Sequence, residues 1–174
     1  MHGIVHQQLN KFLKTLADTD TINSIYKEAG VFGKFYDATK HFADEELAAI
    51  LTATCKKLNI GRDAALEEFG KFITPALLVT YKSFIKPEWK ALDLLEHIEN
   101  TIHKAVRASN PGALPPQLEI IRESANEVVI NYTSPRKMQA FGIGIIKKIA
   151  EHYNEKIQIV QSAIPGGTRI QLKK

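Results

Sequence analysis

The periodicity of this chain changes at Pro115-Pro116, and that change constrains the fold more than any other feature. Upstream, apolar residues recur at intervals of three and four; downstream, they alternate with polar ones. Residues 118–122 and 127–132 read as strands joined by Ser124-Ala125-Asn126. Residues 156–163 and 168–172 read as a second pair around Pro165-Gly166-Gly167. Between the pairs, residues 137–153 return to helical spacing, with Phe141, Ile145, Ile146 and Ile149 inward. Hairpins join antiparallel strands. The expected class is therefore α+β, with about seven helices and a four-stranded antiparallel sheet in the C-terminal half.

The upstream half divides by its own punctuation. Residues 1–17 and 20–29 have helical spacing, and Gly30 closes the second helix. Residues 31–42 are rich in aromatics without a clear period and read as irregular. Asp44 reads as the cap of a long helix that buries Leu47, Ile50, Leu51, Thr54 and Leu58 and stops at Asn59-Ile60-Gly61. Residues 63–69 read as a short helix broken by Gly70. A new helix over 72–84 then has Pro75 in its first turn, where proline is tolerated. Residues 91–108 read as one helix carrying His97 and His103. At 174 residues the chain is expected to be one domain over 1–174. Its helical part is placed at 1–60, and the His103 helix and the sheet at 61–174.

Composition removes several classes. The net charge of +4 comes from 23 basic and 19 acidic residues, scattered along the chain, which argues against nucleic acid. No apolar run approaches the roughly 20 residues of a membrane span. No basic segment followed by an apolar core opens the chain, so a cytoplasmic, membrane-free location is expected. A single Cys55 makes neither an internal disulfide nor a multi-thiolate metal site. No Ser-His-acid arrangement, phosphate-cradling glycine loop or marked acid pair is present, so no enzymatic role is expected.

Two sets of residues carry chemistry. A neutral imidazole is a good axial ligand for haem iron, and His103 shares a helix face with Leu92, Leu95, Glu99 and Val106. A lone histidine at the edge of such a face is more often structural. His97 lies about 240° away on an ideal helix, so the two do not ligate together. Tyr132, Ser134 and Arg136 form the second set. If the strand runs on past Tyr132, these alternate residues project to one side, and two hydroxyls and a guanidinium suit a pair of carboxylates. The alternative is a strand end with a surface arginine, and three residues alone do not decide.

The Tyr-x-Ser-x-Arg run downstream of a helix histidine resembles the haem nitric oxide/oxygen-binding (H-NOX) family, which includes the sensor domain of soluble guanylate cyclase. The resemblance extends to Met1-His2-Gly3-Ile4-Val5, to Phe69-Gly70 and to Pro115-Pro116, and so covers essentially the whole chain. It implies haem b (iron protoporphyrin IX), with His103 as proximal iron ligand, Tyr132, Ser134 and Arg136 on the propionates, and Pro116 pressing on the porphyrin. Val5, Leu9, Ile73, Leu77, Phe141 and Ile145 match the distal pocket. Members that hold dioxygen have a tyrosine where this chain has Phe141. The resemblance therefore implies a sensor of nitric oxide, also binding carbon monoxide, that excludes dioxygen and signals by breaking the iron–His103 bond. The partner it implies is a histidine kinase or a cyclic-di-GMP enzyme acting in trans. Two other readings stand beside it: a haem carrier or storage protein, and a haem-free interaction module.

Overall fold

The computed structural model describes residues 1–109 and 115–174. The stretch Asn110-Pro111-Gly112-Ala113-Leu114, whose proline and glycine predict a turn, lies outside the described residues. The elements in order are α1 (Gly3–Leu16), α2 (Thr19–Glu28), α3 (Asp44–Leu58), α4 (Arg62–Thr80), a 3-10 turn (Lys82–Phe84), α5 (Ala91–His97), a π turn (Glu99–His103) and α6 (Lys104–Ser109). They are followed by β1 (Gln117–Ser124), β2 (Glu127–Thr133), α7 (Gln139–His152), β3 (Gln158–Ile164) and β4 (Gly167–Lys173). The class is α+β, and the strands form one antiparallel sheet in the order β1-β2-β4-β3.

Alternation along β2 and β4 turns Val128, Ile130, Tyr132, Ile170 and Leu172 to one face of the sheet. That face packs with Leu92, Leu94 and Leu95 of α5 and with Ile143, Ile146 and Ile149 of α7. A second apolar cluster joins α1 to α4, with Leu9, Leu13, Ile25, Leu47, Leu66, Phe69 and Ile73 at its centre. Each such side chain, fully removed from water, contributes about 1.5–3 kcal/mol. Helix α7 touches both clusters and joins the helical half to the sheet.

Four local expectations differ from the structure. Gly70 does not break a helix; α4 runs through it. A Cβ at Gly70 would lie 2.2 Å from the Phe141 carbonyl oxygen, and one at Gly144 would lie 2.0 Å from that of Glu67. The two glycines let α4 and α7 cross backbone to backbone, which is a packing demand and not a punctuation mark. Pro75 consequently sits in the interior of α4 and not in a first turn. Asp44 is the first helical residue of α3, not its cap. The cap position is Ala43, which makes no side-chain bond there, and the Asp44 carboxylate is engaged elsewhere. Finally, the histidine helix is not uniform, because the π turn divides it.

Candidate functional site

Between the two clusters lies a cavity of about 260 Å³, lined from α1, α4, the α5–α6 segment, β1, β2, β4 and α7. Its wall is mostly apolar. A core void costs about 24 cal/mol per Å³, so an apolar space of this size, if nothing filled it, would cost up to roughly 6 kcal/mol. Total stability is typically about 5–15 kcal/mol. Such a wall suits a ligand that is itself largely apolar.

His103 lines one side. The π turn sets its place: its amide donates to the Ile98 carbonyl at 3.0 Å, five residues back, and the next amide, of Lys104, donates to that of Glu99. The ring Nδ1 bonds Glu99 Oε2 at 2.8 Å, and the other carboxylate oxygen accepts from Arg107 at 2.6 Å. A carboxylate only accepts, so the proton sits on Nδ1 and Nε2 keeps its lone pair. Burial holds the His103 pKa below the usual imidazole range, against the opposing pull of Glu99. The ring is therefore a neutral base in a dry site, as a metal ligand requires. His97, by contrast, stacks on Trp89 at 4.6 Å and bonds the Asp93 carbonyl, a structural role.

Tyr132, Ser134 and Arg136 also reach the cavity, but not by strand alternation, because β2 ends at Thr133. Ser134-Pro135-Arg136 is a turn, in which Ser134 Oγ accepts from the Arg136 amide at 3.3 Å and the Ser134 carbonyl accepts from the Lys137 amide at 3.3 Å. Tyr132 bonds Ser134, though burial dominates and raises its pKa. Arg136 Nε donates to Asp44 Oδ2 at 2.6 Å, and Asp44 Oδ1 accepts from the Met1 amine at 2.7 Å. Burial raises the Asp44 pKa, but the bonds from the amine and the guanidinium outweigh it and hold the carboxyl below the usual range. This chain of bonds ties the start of α1, the start of α3 and the β2–α7 turn together at one edge of the cavity.

Of the other expected residues, Pro116, Val5, Leu77, Phe141 and Ile145 lie on the cavity wall. Leu9 and Ile73 do not. Both are fully buried in the helical cluster, where α1 packs on α4. Sequence reasoning missed several wall and supporting residues. Thr74 is on the wall with its hydroxyl donated to the Gly70 carbonyl at 2.7 Å. His2 and His41 form a bridge that puts their rings edge to face at 5.3 Å, both on the wall. They are 39 residues apart, and no sequence signal joins them. Glu99 was legible, since four residues on a helix separate it from His103.

The arrangement can be tested against a haem. Such a group needs an apolar slot, a neutral imidazole on one side and cationic or hydroxyl groups at an edge, and all three are present. His41 Nε2 adds a buried nitrogen on the wall without a hydrogen bond. These residues fit the group.

The comparisons agree with that chemistry. The profile of the family described as "Haem-NO-binding" matches residues 2–161, and the chain belongs to that family. Among solved structures it is similar to the S. oneidensis H-NOX protein in its Fe(II)NO state, with 20% identity over 99% of this chain and 98% of that one, at a TM-score of 0.90. It is similar to the Fe(II) unliganded H-NOX protein from K. algicida, with 20% identity, coverage of 100% and 96%, and a TM-score of 0.90. A mutant of T. Tengcongensis H-NOX matches at 19% identity, with coverage of 99% and 97% and a TM-score of 0.85. No curated protein matches the chain. Among the described residues, no helix is long and apolar enough to cross a membrane.

Proposed function

We propose that this protein binds haem b in the cavity and reports nitric oxide to a separate partner protein. The observation that carries the reading is the convergence of His103, with its Nδ1 proton held by Glu99, and Tyr132, Ser134 and Arg136 on one apolar cavity. When bound, haem supplies a ferrous iron that takes a diatomic ligand. His103 would hold that iron, Tyr132, Ser134 and Arg136 would hold the propionates, and Pro116 would press on the ring. Val5, Leu77, Phe141 and Ile145 offer no hydrogen to a bound gas, and the Thr74 hydroxyl is committed to Gly70. Bound dioxygen gains from such a donor, and nitric oxide and carbon monoxide need one far less. At these positions the wall favours the latter two; its other groups able to donate, apart from His103 and the Tyr132, Ser134 and Arg136 set, are His2, His41 and Tyr81.

Release of His103 would remove the tether between the π turn and the cofactor, and Arg136 would carry a change at the cavity edge to Asp44 and α3. The free energy comes from tighter ligand binding to one of two conformations. A histidine kinase or a cyclic-di-GMP enzyme is the partner class proposed, and the domain is read as acting whole, over 1–174, from the cytoplasm. The test is an absorption spectrum of the reduced protein, alone and with nitric oxide, carbon monoxide and air. A Soret band that shifts with the first two and not with air is expected; a persistent dioxygen spectrum would defeat the selectivity. Slow haem transfer to apomyoglobin separates this role from that of a carrier.

A further inference from the structure

Glu99, which holds the His103 Nδ1 proton in the proposed site, is itself held by a second group. Glu99 opens the π turn and His103 closes it. The two oxygens of Glu99 are divided, Oε2 to His103 Nδ1 at 2.8 Å and Oε1 to Arg107 at 2.6 Å. The carboxylate is thus held from both sides, on a side chain 20% exposed. An exposed acid would swing between partners, but both oxygens of this one are engaged.

We propose that Glu99, braced by Arg107, is a positioning residue that strengthens the hold of His103 on iron and so sets how readily a gas ligand releases it. The inference rests on the haem reading above. A carboxylate that accepts the proton of a ligating imidazole fixes the tautomer and the ring plane and raises the basicity of the other nitrogen. More basic Nε2 means a stronger bond to iron, preferential stabilisation of the oxidised metal, and a higher barrier to displacement. An aliphatic or amide residue at position 99 would give a weaker hold and an easier switch.

The experiment uses the haem-loaded protein. Resonance Raman reads the iron–histidine stretch, a redox titration reads the midpoint potential, and stopped-flow absorption reads the loss of His103 after nitric oxide is added. Glu99→Gln keeps an acceptor and removes the charge. The stretch is expected to fall in frequency, the potential to rise, and His103 to be released about tenfold faster, in line with the usual effect of outer-shell partners. Glu99→Ala is expected to move all three readings further. Arg107→Ala alters a side chain that is 42% exposed, so the fold survives. It should broaden the stretch by freeing Glu99 to adopt more than one orientation. An unchanged stretch and potential in Glu99→Gln, or an unbroadened line in Arg107→Ala, overturns the proposal while leaving the haem reading intact. A wild-type protein without a Soret band, or a His103→Gly change that leaves the spectrum untouched, overturns the haem reading instead.

Discussion

Two histidines, one half-buried and one fully buried, mark the difference between the halves of this molecule. His103, on the sheet side, is placed by a π turn and bonded to a charged pair, Glu99 and Arg107. His6, in the helical half, is 2% exposed, and burial outweighs the pull of a backbone hydrogen bond with His2. It stacks on Tyr36 at 4.3 Å and meets Phe42 edge to face, as an aromatic residue would. Burial lowers the pKa of both. The same side chain is thus a poised base on one side and a core filler on the other. The sheet-side wall is held by hydrogen bonds and irregular backbone, and the helical wall by shape.

The largest expected effect breaks the contrast at its polar end. His103→Gly should abolish the Soret band of protein expressed with haem supply, and free imidazole should restore it; a normal spectrum without imidazole would falsify the ligand assignment. Next comes acid. His6 has a folded pKa of about 4, below its unfolded value of 6.5. The unfolded chain binds more protons between those values, so stability is lost as pH falls from 6.5 toward 4. The shift corresponds to roughly 3 kcal/mol. Urea unfolding at pH 7 and pH 4 should show that loss, and His6→Phe should remove most of it.

Shape is tested at the helix crossing. Gly144→Ala puts a methyl group 2.0 Å from the Glu67 carbonyl oxygen, and overpacking of this kind costs about 1–3 kcal/mol. A thermal melt no lower than that of the parent would show that α4 and α7 are not pressed together there. Asp44 gives a smaller effect. Its folded pKa is depressed, so its contribution is present above the unfolded value near 3.8 and is lost as pH falls through the folded one. Asp44→Asn should flatten the stability profile below that pH and leave the His6 window alone. Phe141→Tyr, the mildest change to the fold, should leave the melting temperature nearly unaltered and add a dioxygen spectrum, by placing a hydroxyl on the helical wall.

The elements that sequence periodicity located are those whose residues answer to one period over several turns. Both hairpins and α1, α2, α3 and α7 are of that kind. Gly70 misled because a glycine that ends a helix and one that admits a second helix look alike in one dimension, and only Gly144 on α7 reveals which is meant. Asp44 misled for a related reason: an acid at a helix start reads as a cap, and nothing nearby in sequence announces Arg136 or the chain's amine as its partners. The motif residues His103, Tyr132, Ser134 and Arg136 do line one cavity, yet the means of bringing the last three together was not legible, because a turn replaces the strand that alternation requires. Leu9 and Ile73 have the residue types of pocket lining and are buried in the neighbouring core.

The wide turn at Glu99–His103 also fixes a register. It holds one residue more than an α turn would, and each residue on a regular helix advances the direction of a side chain by about 100°. Removing one residue, such as Thr101, would give an unbroken α-helix with better backbone bonds and the wrong aim, with His103 swung out of line with the cavity. The chain gives up a stretch of ideal helix so that one imidazole faces the right way.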